Sequence, residues 1–100
     1  VMRLTQFQQR IIKDEVARIM GEGVRLLLFG SRTDDGRRGG DIDLYLETPE
    51  RRAQAWRQVL RLNAALQERL GEQKLDIVLY QPGEPLQPIH LQARKQGIRL

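Results

Sequence analysis

The chain predicts an α/β fold of the α+β kind, a small mixed sheet of three or more strands flanked by helices. Three observations carry that expectation. Apolar residues recur at helical spacing in three segments and at strand spacing in three others. The segments alternate as helix, strand, loop, strand, helix, strand, helix, an order that builds one sheet with helices packed on it. The chain has 100 residues, enough for one hydrophobic core and no second, so residues 1–100 are read as a single domain.

Residues 5–20 place Phe7, Ile11, Ile12, Val16, Ile19 and Met20 at helical intervals, and Gly21 and Gly23 stop the pattern. Residues 24–29 form a nearly continuous apolar run broken by Arg25, which suits a central strand. Residues 30–40 are polar and glycine-rich, hence a loop. Residues 41–47 alternate strictly, with Ile42, Leu44 and Leu46 on one face and Asp41, Asp43, Tyr45 and Glu47 on the other. That is the pattern of a half-buried strand. Thr48 and Pro49 then suit the N-cap and first position of a helix running to Leu70. Ala53, Trp56, Val59, Leu60, Asn63, Leu66 and Leu70 share one side of it, and Gly71 closes it. Residues 74–80 alternate again, Leu75, Ile77 and Leu79 inward and Asp76, Val78 and Tyr80 opposite. A turn over residues 81–85 precedes a short helix over 88–96, and Gly97 ends it before an Ile98-Arg99-Leu100 tail.

Composition narrows the function classes. With 40% apolar and 30% charged residues the chain is an ordinary globular sequence rather than a disordered one. It has no cysteine, which excludes disulfides and thiolate metal sites and fits a cytoplasmic setting. Its longest apolar run, residues 26–29, is far too short for a bilayer, so no membrane role is expected. The net charge is +4, and 14 of the 17 basic residues are arginine, the side chain best shaped for phosphate and carboxylate. Those residues are dispersed and lack aromatic interleaving, so direct nucleic-acid binding is not expected.

Three carboxylates carry the chemistry. Asp41 and Asp43 lie two apart on one strand, so both point the same way with Cα atoms roughly 6.5–7 Å apart. The ten-residue loop between the first two strands makes them antiparallel neighbours, and the helix between the second and third makes those parallel. Under that topology Gly30, Ser31, Asp41, Asp43 and Asp76 converge at one end of the sheet. Three carboxylates so close need a cation among them. Hard oxygen donors without His or Cys favour magnesium, with manganese as the alternative. Two such ions could be bridged there and would clamp a triphosphate. Gly30 permits close backbone approach, Ser31 adds hydroxyl and amide donors, and Arg32 adds positive charge. Arg37 and Arg38 could add more.

The run Leu28-Phe29-Gly30-Ser31-Arg32 followed by Asp41-Ile42-Asp43-Leu44 resembles the GS…DxD signature of the DNA polymerase β nucleotidyltransferase superfamily. Leu75-Asp76-Ile77-Val78 resembles its third-acid strand, and Gln96-Gly97-Ile98-Arg99-Leu100 the end of its minimal, antitoxin-type (MNT) members. Thr33-Asp34-Asp35 and Gly40 depart from the usual pattern. The resemblance implies the polymerase β palm-like fold, phosphate contact at Ser31, two magnesium ions on Asp41, Asp43 and Asp76, and ATP as substrate. It further implies a hetero-oligomeric toxin–antitoxin pair with a HEPN-domain toxin, in which the chain transfers AMP to a toxin tyrosine. The rival expectation is a binding module that neutralises a partner by masking its surface, without transfer. Beyond the carboxylates, Tyr45 and Tyr80 share their face and are candidates to stack on a base. His90 is expected at the surface or against a partner, and Trp56 in the core or at an interface.

Overall fold

The computed structural model describes residues 4–30, 42–71 and 74–100. The elements run α1 (Gln6–Met20), β1 (Arg25–Phe29), β2 (Ile42–Glu47), α2 (Ala55–Leu70), β3 (Leu75–Tyr80), α3 (Pro88–Gln96) and β4 (Ile98–Arg99). The strands form one sheet in the order β3-β2-β1-β4. As the connection lengths predict, β1 and β2 are antiparallel and β2 and β3 parallel. The chain is thus a small mixed α/β domain with helices on both faces of its sheet.

Local chemistry explains the boundaries. The Thr5 hydroxyl accepts from the Gln8 amide at 3.0 Å, while Gln8 Oε1 accepts from the Thr5 amide at 3.0 Å. This reciprocal box satisfies donors that the first turn of α1 leaves without helical partners. Gly71, at φ +82°, stops α2 in a conformation that a side chain would resist. The first layer of core joins Ile11, Ile12, Val16 and Met20 of α1 to Leu26 and Leu28 of β1, Ile42, Leu44 and Leu46 of β2, and Leu62 and Leu66 of α2. On the opposite face Leu27, Phe29 and Tyr45 pack with Ala93 of α3, bordered by Val78 and Tyr80. Alternation along β1, β2 and β3 therefore feeds two cores, one on each side of the sheet.

Four expectations are corrected. The residues read as a tail form β4, which pairs antiparallel with β1 through Leu27↔Arg99 and Leu28↔Ile98. Thr48 does not cap α2: it is 2% exposed, and its amide donates to Tyr80 O at 3.2 Å, extending the sheet ladder past β2. α2 consequently starts six residues beyond Pro49, at Ala55. Trp56 and Leu60 do not share the buried side of α2, being 57% and 60% exposed; Leu66 is buried as expected, together with Ala55 and Leu62, and Val59 and Leu70 pack against the core. Phe7 likewise lies outside the α1 stripe, 69% exposed.

The face holding Tyr45 is not half-buried but covered. α3 lies over it, and Tyr45 is fully buried. A Cβ on Gly97 would strike the Ala93 carbonyl and the Leu27 side chain, so glycine is what lets the end of α3 press against β1.

Candidate active site

Three elements bring the predicted carboxylate end together. β1 ends at Phe29, which pairs with Asp43 near the start of β2, and Asp43 pairs in turn with Asp76 near the start of β3. Register partners on adjacent strands point to the same face, with Cα atoms about 5 Å apart. Asp43 is half-buried and Asp76 is exposed. Gly30 follows β1 directly at φ +79°. A Cβ built on it would overlap the Asp43 carboxylate. The chain thus uses glycine here twice over, for a left-handed backbone and for room beside an acid.

Gly30, Asp43 and Asp76 therefore gather where the connections said they would. Ser31, Arg32 and Asp41 lie outside the described residues, as do Arg37, Arg38, Thr33-Asp34-Asp35 and Gly40. Among the described residues no group of three or more His, Asp or Glu side chains is arranged to hold a metal. Two of the three predicted carboxylates are among them. The donors at this end are oxygens on a β-strand pair, a set that fits a hard divalent cation and not a soft one.

The same face of β2 continues into a polar network that the sequence reading did not assign. Tyr45 Oη donates to Glu47 Oε1 at 2.8 Å, Arg94 Nε donates to Tyr45 Oη at 3.0 Å, and Arg94 Nη2 donates to Glu47 Oε1 at 2.9 Å. Burial, then the hydrogen bond to Glu47, push the Tyr45 phenol above its ordinary pKa, with Arg94 pulling the other way. The phenol stays neutral and hydrogen-bonded. Tyr45 is thereby withdrawn as a platform for a base: nothing can stack on a fully buried ring. Tyr80 is also engaged, donating to Glu84 O at 2.9 Å with the Arg94 guanidinium 5.0 Å from its ring centroid.

His90 is 6% exposed, not a surface group. Its Nδ1 accepts from the Gln87 amide at 2.9 Å, and its ring meets Tyr80 edge-on at 5.1 Å between centroids. It caps α3 and fills the second core. The signal for this was present, since Pro88 at the helix start puts His90 at the third helical position, where a side chain can reach back to the cap.

A cleft of about 210 Å³ opens between α1, β1 and β4, lined by Lys13, Val24, Arg25, Arg99 and Leu100 among others. It contains none of the predicted site residues. No protein-family model matches the chain, and no curated protein matches it either. The geometry of Gly30, Asp43 and Asp76 therefore stands on its own. Among the described residues no helix is long and apolar enough to cross a membrane.

Proposed function

We propose that the chain is a magnesium-dependent nucleotidyltransferase with the palm-like fold of the polymerase β superfamily, of the minimal antitoxin type. One observation carries the reading: Asp43 and Asp76 are register partners on parallel strands, with the side-chain-free Gly30 against the Asp43 carboxylate. Asp in a strand is unfavourable by propensity, and two on facing positions add like-charge repulsion. Such an arrangement suits a cation held between the two carboxylates. Asp43 and Asp76, with Asp41 by its spacing in the sequence, would hold magnesium or manganese. The ion would neutralise phosphate charge and polarise the reacting phosphoryl group. Ser31 and Arg32 are assigned to the triphosphate by their sequence position after Gly30.

The acceptor is a hydroxyl, a tyrosine of a HEPN-type toxin, and ATP is the donor. In this reading the acceptor belongs to a partner chain, and the proposed working form is a cytoplasmic hetero-oligomer. The test is transfer of label from ATP carrying a radioactive α-phosphate into the protein co-expressed from the neighbouring gene, with magnesium. Asp43→Asn should lower transfer by at least about a hundredfold, the scale of losing a preorganised charge interaction in the transition state. Neutralisation of the neighbour without any label, persisting in Asp43→Asn, would replace this reading with the masking module.

A further inference from the structure

The outer side of α2 has no work in the fold. Trp56 and Leu60, more than half exposed, are four residues apart and stand one above the other on the helix. Ala64 continues the line at the same spacing and is also exposed. Beside this apolar stripe run Arg57 and Arg61, both exposed. The Arg57 guanidinium lies 5.3 Å from the Trp56 ring centroid. Neither arginine forms an ion pair with any described residue. Glu68 is the sole acid on α2.

We propose that this face docks an acidic amphipathic helix of a partner protein, with an apolar stripe bordered by carboxylates. Charge complementarity decides the sign: two arginines without carboxylate partners flank one edge of the stripe, so the occupant must bring acids to that edge. The apolar line decides the class. A nucleic-acid strand could stack a base on Trp56 but would leave Leu60 and Ala64 in water, whereas a helix with apolar residues three and four apart covers all three. Tryptophan and arginine are also the residue types on which protein interfaces concentrate their affinity. The stacked Arg57 holds the indole in place beforehand, so docking loses less side-chain freedom. α2 packs on the Leu44 and Leu46 side of the sheet, opposite the face that carries Asp43 and Asp76, so the docking does not rest on the transferase reading.

Trp56 is the only tryptophan, so its emission reports occupancy of this face directly. The probe is a stapled helical peptide of about the length of α2, with a leucine stripe bordered by glutamates. A second peptide carries lysines in their place, and a single-stranded oligouridine is the third ligand. The expected result is a saturable blue shift with the acidic peptide, at least about tenfold tighter than with the basic one. In R57E/R61E, checked for folding by circular dichroism, that preference should reverse. Equal binding of both peptides, no shift with either, or tighter binding of the oligouridine would overturn the proposal. Asp43→Asn, the variant expected to lower transfer, should leave this titration unchanged, so the two readings fail separately.

Discussion

At the scale of single residues, two groups show how a side chain, or its absence, is fixed by what lies against it. Gly30 combines φ +79° with a carboxylate where its Cβ would be. Gly71 has a similar φ of +82° but nothing within 4 Å of the added atom. Gly71→Ala should therefore cost about 1 kcal/mol, the backbone term alone. Gly30→Ala should cost about 1–3 kcal/mol and displace Asp43. Urea midpoints of the two variants measure the difference, and equal losses would mean that Asp43 yields freely. Glu15 is the second case. It is 5% exposed and ionised between Arg18 Nε at 2.7 Å and Arg69 Nη1 at 3.1 Å. Burial opposes its charge, but the hydrogen bonds and charges of Arg18 and Arg69 prevail and hold the carboxyl below its ordinary pKa. A lowered folded-state pKa adds stability that is present above the ordinary carboxylate value and is lost as pH falls through the lowered one. Glu15→Gln should thus be weaker by about 1–2 kcal/mol near neutrality. The gap should close in acid, as read from denaturant midpoints across that range.

Among the elements, α3 is the one whose position matters most to the face that carries the acids. It is nine residues long and few of them are buried, so packing alone anchors it weakly. Gly97 lets its end approach Leu27, His90 fills the space beside Tyr80, and Arg94 reaches across to Tyr45 and Glu47. Arg94 and Glu47 are each between a quarter and a third exposed, so solvent screens their pairing without removing it. A double-mutant cycle of Arg94→Met with Glu47→Gln should give a coupling of about 0.5–1.5 kcal/mol in thermal or chemical unfolding. A coupling near zero would mean that α3 is held by its apolar contacts only. α2 is anchored differently at its approach: Arg52 Nη1 donates to the Met20 carbonyl at 2.6 Å and to Gln58 at 3.1 Å, tying the entry of α2 to the exit of α1. On this helix Leu62 and Leu66 face inward and Trp56 and Leu60 outward.

For the molecule as a whole, ligand and stability are coupled in the proposed transferase. A small domain with acids gathered at one end of its sheet gains stability from whatever binds there in the folded state alone. Magnesium with ATP at a hundred times its dissociation constant should add about 2.7 kcal/mol. That corresponds to a rise in melting temperature of about 10 °C or more for a chain this size. ATP with a chelator should give little of it, and Asp43→Asn none. A flat melting temperature at millimolar magnesium and ATP would count against the site.

Sequence alone determined the elements other than β4 and the relative directions of β1, β2 and β3. Alternation and helical spacing are local properties, and a ten-residue loop or an intervening helix leaves little choice of strand direction. Hence α1, β1, β2, β3 and α3 stand near their predicted bounds, and Asp43 meets Asp76 beside Gly30 as expected. Tertiary structure decided what covers each face. Nothing local tells a three-residue tail that two of its residues will become β4, because their hydrogen-bonding partner is β1, some seventy residues away in the chain. Nor does alternation reveal that α3 lies over Tyr45, which turned a candidate base platform into a core residue. Thr48 reads as a cap until the Tyr80 carbonyl takes its amide, and the spacing that offered Trp56 to the core or an interface left to the packing of α2 on α1 which of the two it is. In each case a long-range hydrogen bond or packed neighbour overrode a local preference worth only about 1 kcal/mol.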